Sequence, residues 1–328
     1  MTGSPRRSTG RDDELIVAPP ASRSREWSSK HVRARMQLVN ERMNERSGRN
    51  LLGAIGVGLL LGGLLAASLL FEKRWFIPFG TLLIVAVVTE LATAMRQARR
   101  RIPRIPSVLL ALVAVPMAYY VPAAAHWLII LCGILAIVGW RYVEAMFAKV
   151  RPSKAQLAAD ASATGFAHFY VTFLGSFTIM LLSQPLGEYW VLTFAAIVIS
   201  VDTGAYATGL RFGRTKLAPS ISPSKTWEGL IGGALLGILV AVAACEWLLQ
   251  LPWWFGIFMG VSITITAVVG DLTESMIKRD LGVKDMSNWL PGHGGFFDRF
   301  DSLLPAGAIA FALYFWSAPL MEFAQRLG

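Results

Sequence analysis

Residues 51–71 read L-L-G-A-I-G-V-G-L-L-L-G-G-L-L-A-A-S-L-L-F, with no charge among them, and similar apolar runs recur along the chain. They fall at 75–95, 106–122, 124–147, 164–183, 188–210, 229–250, 253–270 and 303–322. A helix needs about 20 apolar residues to cross a bilayer. Lipid offers the backbone no hydrogen bonds, so each run must satisfy its own as a helix. The expectation is an all-α polytopic membrane protein of about nine transmembrane helices.

Composition agrees. Of 328 residues, 54% are hydrophobic and 16% charged, and the mean hydropathy is +0.51. This is too apolar for an ordinary soluble domain. Cys132 and Cys245 both sit inside apolar runs, so no disulfide framework or cysteine zinc site follows. The net charge of +10 reflects basic loops that attract anionic lipid and does not imply nucleic acid. Residues 1–27, rich in Ser, Arg, Pro and Gly, read as a disordered extension. Residues 28–50 space Val32, Met36, Val39 and Met43 on one face among arginines, as an amphipathic helix lying on the membrane would. No signal-peptide pattern precedes Leu51.

Loop charge orients the spans. Connections 96–105, 148–163, 211–228 and 271–302 hold most of the Lys and Arg, and 96–104 reads R-Q-A-R-R-R-I-P-R. The intervening turns are short and nearly uncharged, apart from Lys73 and Arg74. The positive-inside rule puts the N-terminus and the basic loops in the cytoplasm. The transmembrane helices of 51–199 form one region and 200–328 a second, catalytic one.

The stretch 271–302 concentrates acid, base, histidine and glycine. Asp298 and Asp301 are three apart, as are Asp271 and Glu274, so each pair can share a helix face. Converging carboxylates hold hard cations such as Mg²⁺. Lys278, Arg279, Lys284 and Arg299 offer donors to phosphate oxygens. The turn Pro291-Gly292-His293-Gly294-Gly295 lets backbone N–H groups approach an anion. Together these are the equipment of phosphoryl or nucleotidyl transfer. A cytoplasmic loop serving only topology would explain the cations but not the acidic pairs or the His-Gly-Gly turn.

This stretch resembles the signature of the phosphatidate cytidylyltransferases (CDP-diacylglycerol synthases): S-x-x-K-R, four residues, K-D, then P-x-H-G-G-x-x-D-R-x-D. Here it spans 275–301 as Ser275, Lys278, Arg279, Lys284, Asp285, Pro291, His293, Gly294, Gly295, Asp298, Arg299 and Asp301, with every spacing kept. One departure is Ser287, often glycine in the family. A second segment, Ser222-Pro223-Ser224-Lys225-Thr226-Trp227-Glu228-Gly229, is similar to the family's S-P-x-K-T-W-E-G. It leads into a helix, whose N-terminus is a natural phosphate seat, although Ser224 or Thr226 could equally be an N-cap. Asp202, inside an apolar run, is costly there and therefore a functional candidate; pairing with Arg211 or Lys216 is the structural alternative.

The resemblance implies CTP and phosphatidic acid as substrates, CDP-diacylglycerol and pyrophosphate as products, and a bacterial inner membrane as the place. It implies Mg²⁺, with K⁺ as a candidate second cation, and makes a homodimer a candidate state. Asp271, Asp298 and Asp301 are the expected metal ligands. Lys278, Arg279, Lys284 and Lys225 would neutralise phosphates, and Ser222, Thr226, Asp202 and Arg299 would contact substrate. His293 with Gly294 and Gly295 would shape the loop against the triphosphate. Asp285 would orient Lys284 or Arg279, or bind the ribose. A related transferase with another lipid phosphate, or a transporter, shares the hydropathy, but no internal repeat of transporter type is present. Glu90 and Glu144 are candidates only for lining a pocket, and His126 and His168 read as structural.

Overall fold

The computed structural model of the chain describes residues 51–327 apart from 284, 288 and 291–293. The extension 1–27 and the interfacial helix expected over 28–50 lie outside the described residues.

The chain is a helical bundle. Its helices are α1 (Leu51–Leu70), α2 (Phe76–Gln97), α3 (Arg104–Tyr120), α4 (Ala123–Met146), α5 (Lys154–Ala167), α6 (Leu174–Leu182) and α7 (Gly187–Phe212). They continue as α8 (Trp227–Ala244), α9 (Trp253–Leu281), α10 (Phe297–Phe300) and α11 (Leu303–Leu327). Among the described residues, seven stretches are long and apolar enough to cross a membrane; α3 and Leu60–Leu70 of α1 are apolar but shorter. A π turn, His168–Phe173, joins α5 to α6 without a break, so the fifth apolar helix starts earlier than hydropathy alone implies. His168 and His126 are both buried. His126 lies in the first turn of α4.

Two observations explain why these helices make a multi-pass membrane protein. Large apolar side chains such as Leu128, Leu135, Leu239 and Trp247 are exposed, far more than a water-facing surface carries. The core holds Val87, Leu91, Trp190, Phe255 and Ile263, each fully buried. Lys73, which broke the charge pattern, pairs with Glu188 at 3.1 Å.

Small residues set the tightest crossing. A Cβ on Gly233 of α8 would lie 2.6 Å from the Val201 carbonyl of α7, and one on Gly204 would lie 2.9 Å from the Gly232 carbonyl. Helices without these side chains pack backbone to backbone, the usual device in lipid.

The loop between α7 and α8 is not plain coil. β1 (Lys216–Ala218) and β2 (Ser222–Thr226) form a short antiparallel hairpin, with Lys216 opposite Thr226 and Ala218 opposite Ser222. Glu228 in the first turn of α8 accepts the backbone N–H groups of Arg214 and Thr215, each at 3.1 Å, and this ties the hairpin to its helix.

Candidate active site

The helix α9 runs eleven residues beyond the apolar run that ends at Gly270, so Asp271, Glu274, Lys278 and Arg279 are helical and not in a loop. Positions 271, 274 and 278 share one face at i, i+3 and i+7. Glu274 and Lys278 form an i, i+4 ion pair at 2.8 Å in the favourable acid-first order. Gly282, at φ +71°, ends the helix, and Val283 N–H returns to the Lys278 carbonyl at 3.0 Å. That left-handed closing residue is where glycine is preferred.

Opposite this face stand α10 and the start of α11. A Cβ on Gly270 would lie 2.6 Å from the Asp301 carbonyl, so the two segments touch where the acids begin. Ser302 Oγ donates to the Ala267 carbonyl at 3.1 Å, and Tyr170 on the π turn donates to the Gly270 carbonyl at 3.3 Å. The result is a cluster: ligand oxygens of Asp271, Glu274 and Asp301 lie within 4.8 Å of one another. Asp202 faces the same space, with Asp271, Lys225 and Arg299 as its charged neighbours. The alternative pairing with Arg211 or Lys216 is not what surrounds it.

The two sequence motifs meet here. Lys225 at the end of β2 forms an ion pair with Asp271. Arg279 Nε donates to the Ile221 carbonyl at 3.4 Å, joining α9 to the hairpin a second time. Ser222 is half-buried on the same strand. Thr226 is the N-cap of α8: its hydroxyl accepts the Gly229 N–H at 3.1 Å, so of the two readings left open for it the cap is realised.

Asp298 is not one of the three clustered acids but, in side-chain contact with Glu274, lies beside one of them. Its Oδ1 takes the Lys278 ammonium at 3.1 Å, and its Oδ2 accepts Gly295 N–H at 2.7 Å and Met286 N–H at 3.2 Å. Lys278 thus bridges Glu274 and Asp298. The carboxylate that completes the cluster is Glu274, which the spacing argument had paired with Asp271 but not placed among the metal ligands. Helical continuation past Gly270 is the physical reason, because it carries Glu274 onto the face of Asp271.

Of the turn 291–295, residues 291–293 lie outside the described residues; the Gly295 amide is taken by Asp298, and the two amides that follow it are taken by a second carboxylate. Phe296 N–H and Phe297 N–H donate to Glu90 at 3.1 and 2.7 Å, and the Ser287 hydroxyl donates to the same carboxylate. Glu90 lies on α2 and is 1% exposed. A Cβ on Gly295 would lie 2.5 Å from Glu90 Oε1, and one on Gly294, at φ +79°, would lie 2.7 Å from Asp298 Oδ2. Each glycine is therefore required by one carboxylate. Glu90, like Asp202, is an acid inside an apolar run, and the cost of that placement is the sequence signal that marks it. Asp285 Oδ1 lies 3.5 Å from the Cβ position of Gly294, at the same turn. Arg299 is exposed on α10. Lys284 and His293 lie outside the described residues.

Such a site suits a cation and a phosphorylated ligand. Mg²⁺ binds oxygens at about 2.0–2.1 Å and keeps several waters, so two or three carboxylates clustered at this spacing match its needs. Glu274 Oε1 is buried and lies 2.8 Å from the Lys278 ammonium, so a cation bound here would share this carboxylate with Lys278. Lys225, Lys278, Arg279 and Arg299 surround the acids with charge for phosphate.

Fold and site together define a multi-pass membrane protein with a charged site built from two distant motifs. A model of the cytidylyltransferase family matches residues 53–317, and the chain belongs to that family. It is 35% identical over 282 residues to the phosphatidate cytidylyltransferase of Mycobacterium bovis, covering 84% of this chain and 92% of the relative. The enzyme of the same name from Mycobacterium tuberculosis matches equally, over 85% of its length. That from Haemophilus influenzae is 42% identical over 135 residues, 40% of this chain.

Proposed function

We propose that this chain transfers the cytidylyl group of CTP to phosphatidic acid, giving CDP-diacylglycerol and pyrophosphate. An oxygen of the lipid phosphate attacks the α-phosphorus of CTP, the bond to the β-phosphate breaks, and pyrophosphate carries away the electron pair. The acceptor is a phosphate monoester whose second pKa is about 6, by analogy with phosphoserine. At neutral pH it is mostly a dianion, so the nucleophile needs no general base. The obstacle is repulsion between two anions, and charge neutralisation with alignment is what the protein must supply.

The observation that carries this reading is the ion pair between Lys225 and Asp271, which brings the hairpin motif and the α9 motif to one place. Lys225, Lys278, Arg279 and Arg299 bind and neutralise phosphates, joined by Lys284. Asp271, Glu274 and Asp301 hold Mg²⁺, with Asp298 beside them through Lys278. Bound Mg²⁺ supplies positive charge for the triphosphate; K⁺ is the candidate second cation. Asp202 and Ser222 line the nucleotide side of the cleft. Asp285 and His293 shape the signature turn around Gly294 and Gly295. The protein sits in a bacterial inner membrane with this cleft facing the cytoplasm, where CTP is, and a homodimer is its proposed state.

The test is lipid-linked CMP formed from labelled CTP and phosphatidic acid in detergent. Lys225→Ala should lower kcat/KM about a hundredfold or more, as loss of a preorganised charge does at phosphoryl-transfer sites. Product formation that survives Lys225→Ala and Asp271→Ala at near wild-type rate would sink the assignment.

A further inference from the structure

On the flank of the bundle, away from the residues of the cleft, a groove of about 1060 Å³ runs between α3 and α4. Its upper rim is Arg96, Arg101 and Arg104, and its walls include Ile105, Leu109, Val113, Ile137 and Trp140. The three arginines are exposed, and none has a carboxylate partner among the described residues. One acid, Glu144, also lines the groove, but it accepts the Trp140 indole N–H at 2.9 Å and sits 3.8 Å from Arg141.

The rim is held in place by buried polar contacts. Asp160, with no exposure at all, accepts the Arg101 backbone N–H at 2.7 Å and Arg141 Nε at 2.9 Å. Gln156 donates to the Arg99 carbonyl at 2.6 Å, and Arg99 itself adopts φ +60°. A left-handed non-glycine residue and a fully buried carboxylate are costs that surrounding structure must overcome. They aim the arginine loop. α3 begins directly beneath it with Pro103 as N-cap and no side-chain cap, so free N–H groups and the positive helix end add to the rim.

We propose that this groove seats one acidic phospholipid, with its phosphate on Arg96, Arg101 and Arg104 and an acyl chain along Leu109, Val113 and Ile137. Charge complementarity selects this occupant: cations stand at one end of an apolar trough whose walls, such as Leu109 and Val113, are exposed. The chain's own segment 28–50 is a poor match, because Lys30, Arg33, Arg35, Arg42, Arg46 and Arg49 would meet the arginine rim as like charges. Occupancy would also bear on the cleft, since Arg100 of the same loop pairs with Asp280 near the end of α9 at 3.3 Å.

The test uses phosphatidylglycerol, which has no phosphate monoester and cannot serve as the acceptor, so its outcome is independent of the proposed reaction. Native mass spectrometry of the full chain in detergent compares retained phosphatidylglycerol with phosphatidylcholine of the same acyl chains. The wild type should keep more phosphatidylglycerol, and each Arg→Gln change at 96, 101 and 104 should weaken it about fivefold. Ala136→Trp, which fills the trough and leaves every arginine, should lose the same lipid and guards against an arginine variant that fails to fold. Equal retention of both lipids would overturn the proposal, as would phosphatidylglycerol retention untouched by either variant. So would inorganic phosphate displacing the lipid at millimolar concentration, which would mean an anion site only. Dissociation of a dimer by Ala136→Trp with lipid retention unchanged would make the groove an interface between copies, and would also overturn it.

Discussion

Glu90 illustrates how a single side chain organises the site. It is buried on α2, over two hundred residues before the two amides it holds, those of Phe296 and Phe297. Removing it leaves two inward-facing N–H groups without an acceptor. Each such orphan costs about 1–3 kcal/mol, so Glu90→Ala should lower stability by about 2–6 kcal/mol, read as a fall in melting temperature. Turnover should fall further than KM for CTP rises, because the turn is misplaced and not deleted. Gly295→Ala tests the same latch from the other side. Its new Cβ meets Glu90 Oε1 at 2.5 Å, and displacement of a catalytic loop by about an ångström can cost about a hundredfold in rate. A Gly295→Ala enzyme with wild-type kcat would show that the latch is irrelevant to chemistry. Ser287→Gly, the residue common in the family, removes one donor to Glu90 and should be much milder than either.

At the scale of elements, α9 is a membrane span and a catalytic helix at once. Its apolar part ends at Gly270, and its last three turns carry Asp271, Glu274 and Lys278 on one face. Its end is set by Gly282, which has nothing within 4 Å of a Cβ position. The cost of Gly282→Ala is therefore conformational alone, about 1 kcal/mol, and should appear as a small loss of thermal stability with activity retained. The α7–α8 crossing behaves differently. Gly233→Leu would drive a side chain into the Val201 carbonyl 2.6 Å away, and overpacking of this kind costs about 1–3 kcal/mol or more. Gly139→Leu, at a glycine with open space around it, is the matched control and should be neutral. Because α8 begins at the hairpin that carries Lys225, loosening the crossing should lower activity as well as stability.

At the scale of the molecule, the site draws on five segments: α2 for the latch, α7 for Asp202, the hairpin for Lys225, α9 for the acid-base face, and α10 with its flanking turn. Carboxylates of one sign crowd together there, with lysines pressed among them. A bound cation relieves that repulsion. Chelation of divalent ions should abolish turnover, with Mg²⁺ restoring it, and Mg²⁺ should raise the melting temperature of wild type but not of Asp271→Asn. A wild-type enzyme indifferent to chelation would remove the metal from the account.

The helices and the signature were legible in the chain because hydropathy and fixed spacing are local properties. Twenty apolar residues must be helical in lipid whatever surrounds them, and the acids, bases and glycines at 275–301 keep their spacing without reference to any neighbour. What stayed out of reach depended on contacts between segments distant in sequence. Glu274 joined the cluster because α9 remains helical past its apolar end. Asp298 turned to Lys278 and to the amides at 286 and 295. Gly295 N–H went to Asp298, and the amides of Phe296 and Phe297 just after the turn went to Glu90. By itself, then, the amino-acid sequence determined a helical membrane protein and the residues from which a phosphate site is made. Only the tertiary structure decided which carboxylate faces which partner, since hydrogen bonds and ion pairs are short-ranged and are satisfied by whatever group the packed helices bring within about three ångströms.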